Sequence, residues 1–450
     1  MLEGPMLLVI LAIAVAWIIF ATAKLNLNAF LALLVAAFFA GIAARMPLPD
    51  VVNNITSGFG GILEYIGIVI FSGTIIGTIL EKSGGAFSLA KSFLDAVGEK
   101  YDSLVMTITG GVVSIPVFCD SGFVILSSLN RAIAHMGKKT LTIFSVALAG
   151  GLYLTHVFVP PTPGPIAAAG LLDADLGLVI IMGLVVSIPG IFVAWQWGEK
   201  IGSKFHIEPN PENTIDELKE KYGTLPSAKI AVLPILVPII LISLKSIAEY
   251  PTDPLGTGFV RDFLSFIGDP ATALIIGVFI AIFSVPMLTS RYKTVMSDWV
   301  GDGLERAALI IAITGAGGSF GTILQETPIG DYLGETLAGY ELGIFIAFIM
   351  AAALKTSLGS STVAIITSAS LMAPLLGSLG LDGTWAKVFV VLAIGAGSMT
   401  VSHANDSYFW IIAKFSDMET DVAYKSWTLL TLALGIVSMI WIAILYTIIA

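Results

Sequence analysis

Apolar positions in this chain come in long, nearly unbroken runs, not in the alternating or amphipathic patterns of a water-soluble fold. Runs of membrane length cover residues 5–23, 28–44, 60–80, 178–197, 230–247, 271–288, 304–324 and 427–449, each close to the ~20 residues that a helix needs to cross a bilayer. They predict plain membrane-spanning helices. Two further regions, 104–172 and 344–415, are equally apolar but are cut by proline, glycine and polar clusters. Each is too long for one span and predicts a re-entrant helical hairpin followed by a broken helix. The most polar stretch, 199–229, holds Pro209-Asn210-Pro211 and a short charged helical pattern from Ile215 to Lys221. It reads as a linker between two halves.

The halves repeat. Gly77-Thr78-Ile79-Leu80 recurs as Gly321-Thr322-Ile323-Leu324, and Gly150 with Leu154-Thr155-His156 matches Gly397 with Val401-Ser402-His403. Two matches in the same order and at nearly equal offsets indicate a duplicated unit, a common construction in transporters. The predicted fold is an all-α polytopic membrane protein of two inverted repeats. Each repeat has three scaffold spans, a re-entrant hairpin, a broken helix and a final span. The first repeat covers 1–206, with scaffold spans in 5–82, hairpin 102–134, broken helix 140–172 and last span 176–198. A cytoplasmic linker covers 207–226. The second repeat covers 227–450, with scaffold spans in 228–325, hairpin 342–376, broken helix 385–415 and last span 427–449.

Composition narrows the class. With 56% hydrophobic and 12% charged residues and a mean hydropathy of +0.93, a soluble globule or a nucleic-acid binder is excluded. The single cysteine, Cys119, allows no internal disulfide, and no Cys/His spacing suits a metal. No His-Glu-x-x-His or similar intramembrane catalytic spacing occurs, so neither enzyme chemistry nor a cofactor is expected. The run after Met6 lacks a basic leader and a cleavage site, and is expected to stay as a span.

The net charge of −10 means little until the loops are sorted by side. With hairpins that enter and leave on one face, the linker side collects Lys24, Lys82, Lys91, Lys100, Arg131, Lys138, Lys139, Lys200, Lys204, Lys219, Lys221, Lys229, Arg291, Lys293, Arg306, Lys414 and Lys425. The other side keeps Arg45, Lys245, Arg261 and Lys387. The positive-inside rule then puts the linker in the cytoplasm and both termini outside, in the inner membrane. Lys355 alone is left at membrane depth.

Irregular, polar backbone at that depth persists only when it is enclosed by protein or lines a cavity. Four such interruptions occur: the hairpin tip from Ser114 to Gly122, the proline-rich break from Thr155 to Pro165, the tip from Lys355 to Thr362, and the break from Ser402 to Ser407. Half-helix N-termini at such breaks carry free N–H groups and positive dipole ends that suit a carboxylate. The candidate substrate-binding residues are therefore Asp120, Ser121, Gly122, Thr155, His156, Thr162, Gly164, Lys355, Ser357, Gly359, Ser360, Ser361, Thr362, Ser402, His403 and Asn405. Asp120, Asp406, His156 and His403 are candidates for ion coupling, with H⁺ as the coupling ion and Na⁺ as the alternative. Lys355 either meets the substrate or closes an internal ion pair with Asp120 or Asp406. Either aspartate could instead cap a half-helix.

At these residues the sequence resembles the gluconate permease (GntP-type) family of the ion transporter superfamily. Asp120-Ser121-Gly122-Phe123 is similar to that family's first hairpin, and Thr155-His156 with Pro160 to Pro165 is similar to its Pro-Pro-His-Pro-Gly-Pro break. Lys355 with Gly359-Ser360-Ser361-Thr362-Val363 is similar to its second hairpin, and Ser402-His403-Ala404-Asn405-Asp406 with Phe409-Trp410 to its second break. Two positions depart: Thr162 stands where the family usually has histidine, and Lys355 where arginine is frequent. These departures leave open which acid is carried. The resemblance implies proton-coupled import of a gluconate-like sugar acid or short hydroxy acid by an elevator-type symporter, a substrate-carrying domain moving against a homodimeric scaffold. A sodium-coupled carboxylate carrier is the alternative.

Overall fold

The computed structural model describes residues 4–25, 27–97, 101–210, 225–249, 256, 258–284, 295–328 and 343–449. The charged pattern from Ile215 to Lys221, and the loop charges Lys100, Arg291 and Lys293, lie outside the described residues. Every regular element among the described residues is helical. In the first half these are α1 (Met6–Ala23), α2 (Ala29–Ala43), α3 (Leu48–Lys82), α4 (Gly85–Val97), α5 (Asp102–Val113), α6 (Cys119–Met136), α7 (Leu141–Phe158), α8 (Pro163–Leu171) and α9 (Leu176–Lys200). In the second they are α10 (Ala228–Ala248), α11 (Phe259–Ile267), α12 (Pro270–Ser284), α13 (Val300–Gln325), α14 (Phe345–Leu358), α15 (Ser361–Met372), α16 (Thr384–Met399), α17 (Ser407–Phe415) and α18 (Leu429–Ile449).

Packing partners recur in the same pattern in both halves. Helix α5 packs on α7 as α14 does on α16, α7 on α9 as α16 on α18, and α1 on α2 as α10 on α12. The repeat-related helices α3 and α13 pack along each other, and α2 lies on α13 as α12 lies on α3. Their crossing is close because it is made of glycine: a Cβ on Gly58 would sit 2.7 Å from the Gly318 carbonyl. Small residues allow such backbone approach where lipid supplies no hydrophobic drive between helices.

Helix α3 differs from the sequence expectation of a span starting near Gly60. It runs for 35 residues from Leu48, with a 49° bend between 48–64 and 66–82. The polar string Asp50, Asn53, Asn54, Thr56, Ser57 breaks the apolar run, yet the helix continues because this segment also packs on α13. Helix α11 is a second addition. It meets α12 at 63° and leaves Phe259, Val260 and Phe266 largely exposed, as expected of a helix lying along a membrane surface.

The innermost helix of the first half is α7, every residue of which is buried. Its counterpart α16 is nearly so. The helices α1, α2, α9, α10, α12 and α18 instead expose Ile13, Val35, Phe192, Ile240, Phe279 and Ile440, the outward apolar surface that lipid requires. At the start of α7, Lys139 bonds Asp102 at 2.7 Å and Glu199 at 3.4 Å, tying α5, α7 and α9 together. Partial burial pulls its ammonium pKa down, but the two acids outweigh it and hold the pKa above the ordinary lysine value.

Candidate functional site

Helices are interrupted at 114–118, 159–162, 359–360 and 400–406, and each interruption has a local cause. At the first hairpin tip, α5 ends at Val113 and the Ser114 hydroxyl donates to the Val117 carbonyl at 3.1 Å, closing the turn. Gly77 of α3 faces the Pro116 carbonyl so tightly that any side chain there would collide with it. At the first break, Thr162 donates to the Val159 carbonyl at 2.7 Å, and α8 restarts with Pro163 and Pro165, which have no N–H to leave unpaired. The second tip turns at Gly359, whose φ of +84° strains any residue with a Cβ. The Asn405 backbone lies against that glycine. The second break runs from Thr400 to Asp406, and Asp406 caps α17 by accepting from the Tyr408 N–H at 3.0 Å.

Lys355 is fully buried. Its ammonium donates to the Gly359 carbonyl and pairs with Asp406 Oδ2 at 2.6 Å, with the Tyr153 ring 5.7 Å away. Ser402 donates to the same carboxylate oxygen at 2.5 Å and is itself held by Trp427 Nε1 at 2.9 Å. Thr428 and Thr431 bond the Ser402 backbone at 2.6 and 3.0 Å. Of the two roles the sequence left open for Lys355, this conformation has the internal pair, with Asp406 as partner. The network joins the second hairpin to the second break.

Beside this network lies a cavity of about 540 Å³. One wall is the first turn of α6, from Phe118 to Ser121, with Tyr153 and His156 of α7. Another is the first turn of α15, from Ser360 to Val363, with Ile366. Asp406, Ser407 and Tyr408 open α17 onto it. The remaining wall is one face of α13, made of Arg306, Leu309, Ile310 and Ile313. Three half-helix N-termini thus converge. Two already carry a carboxylate, Asp120 in the first turn of α6 and Asp406 as the cap of α17. The third, α15, has no carboxylate in its first turn: its cap is the Ser360 hydroxyl, which accepts from the Val363 N–H at 3.4 Å, and Ser361 and Thr362 add two more hydroxyls, so no acid offsets its positive end.

Of the residues singled out from sequence, Asp120, Ser121, His156, Ser360, Ser361, Thr362 and Asp406 line this cavity. The others are not in its lining. Gly122 packs on Leu152 and Gly164 on Ile365. Thr155 donates to the Gly111 carbonyl at 2.7 Å, Ser357 to Ala353 at 2.9 Å, and Thr162, Gly359, Lys355 and Ser402 have the partners given above. His403 and Asn405 both grip the Thr356 carbonyl, at 3.0 and 2.8 Å. The two repeat-related histidines therefore differ: His156 faces the cavity, with Nδ1 lacking a hydrogen-bond partner, while His403 is a clasp.

Sequence reasoning missed Arg306, Tyr153, Ser407 and the α13 face. Arg306 was counted among the linker-side loop charges, but it stands inside the span 297–325 and lines the cavity. Its spacing of three, four and seven residues from Leu309, Ile310 and Ile313 was the available signal. Another cavity, of about 590 Å³, lies near the bend of α3 and is lined by Glu64, Asp175, Glu249, Asp269 and Lys245. It contains none of the interruptions, and its lining carries four carboxylates against the one lysine, so its charge does not suit an anion.

The sequence matches the model of the GntP family permeases over residues 6–449. The chain belongs to that family. This GntP family member is 36% identical to an uncharacterized permease of Haemophilus influenzae over 425 residues, 91% of this chain and 85% of that one. It is 30% identical to a gluconate permease of Pseudomonas aeruginosa over 94% of this chain and 93% of that one. Its fold is similar to that of the Alcanivorax borkumensis YdaH transporter, with a TM-score of 0.63 at 14% identity, covering 89% of each chain. The GntP member is thus a multi-pass membrane permease, and its relatives are transporters and not enzymes.

Proposed function

We propose that this GntP family member imports a small organic anion, a gluconate-like sugar acid or a short hydroxy acid, by proton symport. The observation that carries the reading is the cavity joining both hairpin tips, with one helix N-terminus free of any protein acid. A carboxylate at the first turn of α15 meets the positive end of that helix and the Ser361 and Thr362 hydroxyls. Ser121, Ser407 and Asp120 suit the hydroxyl groups of such an acid, and a relative named gluconate permease agrees with that chemistry.

Coupling falls to Asp120. Asp406 is committed to Lys355, whereas Asp120 lines the cavity with no ion-pair partner among the described residues. Helices α5–α9 and α14–α18 form the substrate-carrying unit of an elevator-type carrier. Helices α1–α3 and α10–α13 form its scaffold, paired with a second copy in an inner-membrane homodimer. The halves are inverted, with both termini outside and the linker in the cytoplasm, as the lysine and arginine distribution supports.

Purified protein in proteoliposomes tests this. An inward proton gradient without sodium drives accumulation of D-gluconate or a shorter hydroxy acid. Accumulation that answers only to a sodium gradient would move coupling to Na⁺, and no uptake under either gradient would remove the function.

A further inference from the structure

Helix ends and hydroxyls attract an anion only through partial charges. Among the described residues two basic side chains bear on this site, Lys355 beside the cavity and Arg306 in its lining, and they differ. Lys355 has no exposure and is spent on Asp406. Arg306, with its side chain 35% exposed, is the one basic residue in the lining, histidine aside, among the described residues.

The register of α13 against α15 says where that charge stands. Gly317 meets Ile366 and Ser370, and one turn later Gly321 meets Ser370. The two helices therefore run in the same direction at their contact. Carried back along α13, that register sets Arg306 about six residues, or about 9 Å of helical rise, ahead of the first residue of α15. It stands in front of the acid-free N-terminus of α15, on the cavity side, at the end of the apolar stripe Leu309, Ile310, Ile313.

Glu81 of α3 holds the guanidinium from behind, bonding Nη1 at 2.5 Å and Nη2 at 3.1 Å. Glu81 is not part of the cavity lining. A guanidinium has five N–H donors, and these bonds use two of them. Lys82 and Asp302 form a neighbouring pair between the same helices, so the α3–α13 junction does not depend on Arg306 alone.

We propose that Arg306 is the charge-recognition residue of this site, gripping the carboxylate of the transported acid from the side opposite the first turn of α15, with Glu81 as its positioning residue. This rests on the anion-binding reading of the cavity and deepens it. The selected ligand is an acid whose carboxylate leads into the site and whose hydroxyl-bearing chain extends toward the hairpin tips. A neutral polyol of the same length is rejected.

The test is calorimetric binding to the full-length protein in detergent. D-gluconate, D-glycerate and L-lactate serve as probes, with glucitol and glycerol as neutral controls. Wild type binds at least one acid and neither control. Arg306→Gln weakens that acid by at least ~10-fold, the scale of a lost charge-assisted bidentate contact, and Arg306→Lys recovers part of it. The swap Glu81→Arg with Arg306→Glu restores the ion pair but moves the cation off the cavity. A recognition role predicts no recovery of binding in the swap, and a merely structural role predicts full recovery. The swap carries the test if Arg306→Gln does not fold. Wild-type affinity in Arg306→Gln, or recovery in the swap, overturns the proposal alone. A wild type that binds no acid overturns the anion-site reading and this inference with it.

Discussion

The two halves are built alike, yet their interruptions do opposite work. In the second half Lys355, Ser402, Asp406 and Trp427 close on one another, and His403 and Asn405 clasp Thr356. In the first half Asp120 faces the cavity without an ion-pair partner among the described residues, and His156 with Nδ1 unbonded. One half supplies a closed ion-paired lock and the other polar groups that line the cavity. Equivalent repeat positions therefore do not imply equivalent roles, and polar residues at membrane depth are sorted by whether their bonds are already made.

The sharpest break of this comparison is Lys355→Ala. It leaves Asp406 buried without a cation, and loss of one partner of a buried pair costs about 3–5 kcal/mol. Thermal denaturation in detergent should fall markedly, while Lys355→Met with Asp406→Leu recovers much of the loss. Unchanged stability in the single variant would mean that the lock is not closed. Asp120→Asn comes next. The amide keeps the shape but does not take up and release a proton, so gradient-driven accumulation disappears while exchange of internal for external substrate continues, with stability altered by less than about 1 kcal/mol. Accumulation at the wild-type level would remove Asp120 from coupling.

Smaller effects separate the histidines. His403→Ala and Asn405→Ala each remove one hydrogen bond to Thr356, worth about 1 kcal/mol. Both should lower the melting temperature and leave the KM for uptake unchanged. His156→Phe, on the cavity wall, should do the reverse. If both histidine variants shift KM equally, the two halves are not functionally distinct.

Much of this arrangement was legible in the sequence. Proline and glycine located the hairpin tips and breaks because the backbone cannot continue as helix through Pro160 to Pro165 or turn at Gly359 otherwise. What hydropathy could not convey was tertiary. The polar first turns of α3 stay helical because α13 packs against them. The partner of Lys355 was ambiguous, since only the fold decides which aspartate comes within reach. Arg306 was hidden for the opposite reason. Near the edge of an apolar run, it is indistinguishable from a loop charge until α3 and α15 are in position around it. The two departures from the family pattern, Thr162 and Lys355, also lie outside the cavity lining. They adjust how the walls are held and leave the lining itself unchanged.

The most direct test is substrate protection of the cavity wall. A cysteine at Thr362, which is half-buried on that wall, is introduced in a Cys119→Ala background and labelled with a negatively charged methanethiosulfonate. An acid that the protein transports should slow labelling in proportion to its occupancy, and a neutral polyol of equal length should not. Labelling at the same rate with and without a saturating transported acid would contradict the claim that this cavity holds the substrate.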